Sequence, residues 1–233
     1  MMPATKRVLL SWSSGKDSAW SLHVLRQDPD VEVVGLLTTF NEAVDRVAMH
    51  AVRRDVVNAQ AAAAGLPLWS VRIPSPCPND IYEEKMREAM VKAKAAGITH
   101  VAFGDLFLED VRDYRITRMA GTGIEPLFPL WGIPTDELAE TMLAGGLRAT
   151  LTCVDPKQLD PSFVGRQFDG QLLADLRILN RDRKTPLDLC GERGEFHSCV
   201  TAGPMFSAPL QTTTGEVLER GGFWFCDVVM GSA

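Results

Sequence analysis

Ser11 to Trp20 reads SWSSGKDSAW, and the fold turns on this stretch. Upstream, Val8 to Trp12 has the apolar character of a buried strand. Downstream, Ala19, Trp20, Leu22, Val24 and Leu25 carry the spacing of a helix pressed on a sheet, over Asp17 to Arg26. A strand that turns through small residues into a helix has two uses. The serines and Asp17 can cap the first helical N–H groups, or the backbone N–H groups and the helix N-terminus together can cradle an anion. Gly15 is the residue expected to take φ > 0, Ser13, Ser14 and Ser18 add hydroxyls, and Lys16 adds positive charge. The stretch is not a Walker A loop, because Asp17 follows Lys16 where that loop needs Ser or Thr, and it is not G-x-G-x-x-G. An acid beside an anion site calls for a divalent cation between them, with Mg²⁺ the natural choice.

The strand–helix unit repeats outward from this turn. VEVVGLLTTF (31–40) has the near-continuous apolar run of a strand covered on both faces. Val47 to Ala64 reads as a helix with Ala48, Val52, Val56, Ala59 and Ala63 on one face, closed by Gly65 and Pro67. LWSVRI is a third strand, and Asp80 with Glu83 reads as a capping box opening a helix to Gly97. HVAFG, a charged helix over about 109–119, and EPLFPLW complete a doubly wound α/β pattern with a parallel sheet. After Trp131 the pattern changes. A helix over 135–144, the strand GLRATLTCVD, the helix GQLLADLRIL, a Gly/Glu/Arg-rich loop and short strands such as FWFCDVVM suggest a smaller α+β region, residues 131–233, closing over residues 1–130.

Bulk composition narrows the function. A net charge of −6 disfavours nucleic acid as the main partner but leaves room for a local phosphate pocket. Five cysteines form no CxxC pair and follow no secretory signal, which predicts reduced thiols and a cytoplasmic protein. No run approaches the ~20 apolar residues of a membrane span.

SWSSGKDS resembles the PP-loop, SGGxDS, of the N-type ATP pyrophosphatases, with Ser14 where the first motif glycine stands. MHAVRRDVVNAQAAAAGLPL, GDLFLEDVRDYR, PLWG and CGERGEFHS followed by GPMF occur in the order of the diphthine–ammonia ligase-like family of ATP-binding proteins. The resemblance covers essentially the whole chain. It implies a five-stranded parallel sheet of order 3-2-1-4-5 and a C-terminal α/β region. It also implies a ligase that adenylates a carboxylate, converting ATP to AMP and pyrophosphate, and amidates it with ammonia. The acceptor would be a small-molecule or protein-borne carboxylate, and a homodimer is compatible with the chain. Two other functions share the architecture: a nucleotide-binding sensor without catalysis, and a sulfur-transfer enzyme acting on tRNA, which Cys190 and Cys199 beside the glutamate loop invite.

Candidate residues follow from both sources. Ser11, Ser13, Ser14, Gly15, Lys16, Asp17 and Ser18 form the expected ATP loop, with Lys16 and Asp17 also catalytic. Leu37 and Thr38, at the second strand's end, are where this fold class reads adenine, and His50 is a ribose or phosphate contact on the family motif. Gly104 and Asp105, directly after the fourth strand, are nucleotide or metal contacts, with Asp17 and Asp105 as the Mg²⁺ ligands. Glu109, Asp110, Arg112 and Arg115 read either as an exposed salt-bridged helix start or as substrate contacts. Glu192 and Glu195 would orient ammonia or accept its proton. Arg193 and His197 would meet the substrate, although a tight charged surface loop accounts for the same residues.

Overall fold

The computed structural model describes residues 5–47 and 51–231. Strand β1 (Lys6–Ser11) leads into helix α1 (Lys16–Leu25), and β2 (Val31–Asn41) returns parallel to it. A two-residue antiparallel strand, β3 (Arg46–Val47), precedes α2 (Arg54–Ala64), β4 (Leu68–Ile73), α3 (Asn79–Ala95), β5 (His100–Ala102), α4 (Glu109–Met119) and β6 (Glu125–Leu127). The parallel strands pair in the order β4-β2-β1-β5-β6, which is 3-2-1-4-5 counted along the chain. Order reverses on either side of β1, so the loop after β1 lies at the switch point where such sheets bind ligands. β1 can hold that central place because Val8, Leu9 and Leu10 are fully buried, with the core on both faces. Pro126 is tolerated in β6 because that strand is at the sheet's edge.

The second sheet is antiparallel, in the order β8 (Phe196–Ala202), β7 (Arg148–Val154), β10 (Phe223–Met230), β9 (Thr212–Arg220). Helices α5 (Thr135–Ala144) and α6 (Gly170–Asn180) pack beside it. One apolar cluster runs from Val8, Leu10 and Leu36 through Leu130 and Leu138 to Leu151, Leu173 and Val200, joining both sheets. The contact places β8 against α1 and against the loop that precedes it: Val200 N donates to Ser14 O at 2.9 Å. At the far end, Asp227 of β10 is held by Arg46 and Arg53, with Arg46 Nη1 at 2.7 Å and Arg53 Nε at 2.8 Å.

Three local readings are corrected. Val47 is in a strand, and α2 begins only at Arg54. Its buried face is Val56, Val57, Gln60, Ala61 and Ala64 rather than the face of Ala59 and Ala63. Ala48, with His50, lies outside the described residues. The capping box at Asp80 does not form. Pro78 is the N-cap of α3, and the Asn79 side chain instead donates to Glu83 Oε1 at 2.7 Å. Finally, Gly15 is extended at φ −86°, and the left-handed residue of the loop is Ser14 at φ 72°.

Candidate active site: a serine-rich loop facing a carboxylate-lined cavity

A cavity of about 220 Å³ opens where the end of β1, the start of α1, the end of β5 and the 190–198 segment meet. Its wall includes Ser11, Ser13, Lys16, Asp17 and Ser18 from the end of β1 through the start of α1, Gly104 and Asp105 from the loop after β5, Arg115 from α4, and Glu192, His197 and Ser198 from the second half of the chain. Ser13 and Ser18 bring their hydroxyls within 3.2 Å of each other, and the Lys16 N–H donates to Ser198 Oγ at 3.2 Å. The N-terminus of α1 therefore faces the cavity with serines on both sides, which is the arrangement of an anion site. Gly104 is required where it stands: a Cβ there would sit 3.0 Å from Asp17 C and from Ser18 N, both backbone atoms.

Lys16 is almost wholly buried. Its Nζ lies 2.9 and 2.8 Å from the two Asp17 oxygens, also donates to Cys190 O, and sits over the rings of Phe168 and Phe196. Burial pulls the amine down, but Asp17, with Cys190 and Glu192 adding to it, holds the pKa above its ordinary value. Asp105 is pushed up by burial, opposed by Arg115, whose Nε is 3.5 Å away. Its Oδ2 is buried without a hydrogen-bond partner. Glu192 is raised to about 7, mainly by burial, even though its Oε1 accepts the Leu106 N–H at 2.8 Å. His197 is lowered to about 4 by burial, with Lys16 adding to the effect, so its imidazole is neutral at pH 7.

The 188–195 loop owes its shape to two buried acids. Asp188 Oδ1 accepts the N–H groups of Cys190 and Glu192, and its Oδ2 accepts from Thr135 Oγ1 at 2.6 Å. Glu195 Oε1 accepts the Asp188 N–H at 2.7 Å, and Oε2 accepts the Arg193 N–H at 3.0 Å. Gly191 and Gly194 supply the left-handed turns, at φ 72° and 85°. This bracing presents Glu192 to the cavity and takes Glu195 away from it. As placed, Glu195 shapes the loop and does not line the cavity.

Other expected residues are also displaced from the cavity. The Thr38 hydroxyl donates to Trp12 O and the Leu37 carbonyl accepts the Trp12 N–H, so both are used in joining β2 to β1. Arg193 is exposed, with Nη1 donating to Pro186 O and the guanidinium over Phe107. Glu109 and Asp110 are exposed at the start of α4, and Arg112 lies over Phe128 and Trp131. Ser14 is fully buried beneath the loop, its Oγ 3.6 Å from Cys199 Sγ. His50 lies outside the described residues. Residues missed in the sequence are Asp188, Ser198 and Gln60. Gln60 carries no signal there, because the alanines around it leave the inward face of the helix unreadable in sequence.

Among the described residues, no three His, Cys, Asp or Glu side chains converge to hold a metal ion. Mg²⁺ makes a smaller demand, since it commonly takes one or two carboxylates and completes its shell with phosphates and water. Asp105 Oδ2, ion-paired with Arg115 but without a hydrogen bond, fits that use, and the cavity wall carries Asp17, Asp105 and Glu192 against only Lys16 and Arg115. A polyanion would enter such a wall with a cation.

A 3-2-1-4-5 sheet with a serine-rich loop leading into a helix at its switch point defines a protein of the nucleotide alpha-hydrolase-like α/β class. The comparisons narrow the class to a family. A model of the diphthamide synthase N-terminal domain matches residues 6–122, and one of the diphthamide synthase C-terminal domain matches residues 134–230. The chain belongs to the diphthamide synthase family, as the order of its motifs implied. It is 25% identical to the diphthine–ammonia ligase of Schizosaccharomyces pombe over 94% of this chain, but spans only 38% of that protein's length. It is 22% identical to the diphthine–ammonia ligase of Rattus norvegicus and 20% identical to that of Homo sapiens, in each case over 95% of this chain and 88% of the relative. No helix among the described residues is long and apolar enough to cross a membrane.

Proposed function

We propose that this protein is an ATP-dependent, AMP-forming ligase that adenylates a carboxylate and amidates it with ammonia, the reaction type that its relatives' names describe. The observation that carries the reading is the left-handed Ser14 turn, which sets the loop and the N-terminus of α1 on one wall of a cavity whose other walls carry Asp105 and Glu192. Ser13, Ser18 and the start of α1 would hold the phosphates. Lys16, already neutralising Asp17, would share its charge with them. Asp105, with Asp17, would hold Mg²⁺, which would offset phosphate charge during the displacement. Glu192, with its pKa near 7, is matched to accepting the proton that ammonia loses on attacking the acyl carbon. Residues 131–233 would close the site around the acceptor, a small or protein-borne carboxylate, in a cytoplasmic enzyme.

Sulfur transfer is the weaker reading. Burial raises the thiols of Cys190 and Cys199, the latter to about 12, so neither is a thiolate at neutral pH.

The test is product analysis on ATP labelled at the α-phosphate, with Mg²⁺, ammonium and a panel of carboxylates including diphthine. Labelled AMP with pyrophosphate, dependent on acceptor and lost in Asp17→Ala, is expected. Labelled ADP would refute the mechanism, and ATP binding without turnover under every acceptor would favour a sensor.

A further inference from the structure

Gln60 lies outside the cavity wall, fully buried on α2, yet its side chain ties the loop and the residue before it to β8. Its Oε1 accepts from Trp12 Nε1 at 2.9 Å, while its Nε2 donates to Val200 O at 2.8 Å and to Ser14 O at 3.2 Å. Val200 N donates to the same Ser14 carbonyl at 2.9 Å. The Ser14 carbonyl is thus held by two donors, one from each half of the chain. Ser14 is the residue that most needs holding, because a side chain at φ 72° is costly in an L-residue and persists only where the surroundings over-determine it. Core packing alone does not account for a glutamine here. An apolar side chain would fill the space without burying an amide, and burying an amide is tolerable only when each of its groups is satisfied.

We propose that Gln60 is the positioning residue of the phosphate loop: it holds the Ser14 peptide in its left-handed turn, locks the loop to β8, and so sets the affinity for ATP. The inference rests on the ligase reading above. Replacing Gln60 removes the one side-chain donor to the Ser14 carbonyl and the Nε2 bond to Val200 O, leaving that carbonyl to Val200 N alone, and Ser14 then relaxes toward an extended conformation that pulls Ser13 and the start of α1 off the cavity.

The test is a double-mutant cycle on the full chain, with the dissociation constant of Mg–ATP read by titration calorimetry and stability by urea denaturation. Gln60→Met should weaken ATP binding at least about 10-fold when Ser14 is present, but less than about 3-fold in the Ser14→Gly background, since glycine takes the turn unaided. The stability loss should be similar in both backgrounds. Equal affinity losses in the two backgrounds would overturn the proposal and leave Gln60 a packing residue. Should Gln60→Met not fold, the side-chain amide protons of Gln60 in the wild-type chain give a second measurement by NMR. They should shift and gain exchange protection on saturation with Mg–ATP, and unchanged resonances would overturn the proposal. A wild-type chain that binds no ATP would overturn the ligase reading and this inference with it, whereas equal losses overturn the inference alone.

Discussion

Replacing Glu192 by glutamine separates its charge from its shape. Glutamine keeps a carbonyl oxygen for the Leu106 N–H, which Glu192 Oε1 accepts at 2.8 Å, while removing the ionisable group. The carboxyl is raised from 4.5 to about 7, chiefly by burial, with Asp17 and Asp105 contributing against Lys16. A shift of that size corresponds to about 3 kcal/mol disfavouring the ionised form in the folded chain. An acid with a raised pKa leaves the protein most stable below its unfolded value and weakens it as the pH rises through 4.5 toward 7, because the unfolded state gives up its proton first. Glu192→Gln should therefore stabilise the chain by up to about 3 kcal/mol near pH 8 and by less than about 1 kcal/mol near pH 5. Urea denaturation followed by tryptophan fluorescence at the two pH values measures the difference. Amide formation should fall by roughly 10²–10⁴-fold in the same variant, the usual worth of a positioned acid–base group. In the wild type, the rate should decline as the pH drops below about 7. A stability gain independent of pH, or full activity in the variant, would refute the assignment of Glu192 as a buried base.

Three further expectations come from other parts of the site and its supports. Gly104→Ala should cost about 1–3 kcal/mol in urea denaturation and weaken ATP binding, because the new methyl meets backbone atoms of Asp17 and Ser18 at 3.0 Å. Lys16→Met should destabilise by about 3 kcal/mol at pH 7 by leaving Asp17 without its partner, and Asp17→Asn in that background should recover part of the loss. Asp227→Ala should cost about 2 kcal/mol at pH 7 through the lost bonds to Arg46 and Arg53. The arginines hold the Asp227 carboxyl at about 2 despite burial, so wild type and variant should differ fully above the ordinary 3.8 and converge as the pH falls through about 2.

What could be read from the sequence was the periodic part. Strands such as Val8–Leu10 are buried on both faces and so write themselves as continuous apolar runs, and the helix over 135–144 stands where its spacing put it. The register of α2 was not readable in the same way. In NAQAAAAG five of the eight positions are alanine, so hydrophobicity cannot say which face is inward, and it is the polar Gln60 that points to the core. The capping box at Asp80 failed for a local reason, since Pro78 occupies the cap position two residues earlier.

The loop shows where local rules give way to tertiary ones. Propensity assigns the left-handed conformation to Gly15, the residue without a Cβ. The structure assigns it to Ser14, whose carbonyl is gripped by Gln60 and Val200 from elements far along the chain. No window of sequence around SWSSGKDS contains either donor. The same holds for the glutamate loop. Glu192 and Glu195 look equivalent in CGERGEF, and only the N–H groups of Asp188 and Arg193 decide that Glu195 is consumed in shaping the loop while Glu192 is left to the cavity. The residue types that do chemistry are visible in the sequence. Which of two like residues is left to line the cavity depends on how many of its hydrogen-bonding groups the fold has already claimed, and that follows from contacts the chain makes only once it is folded.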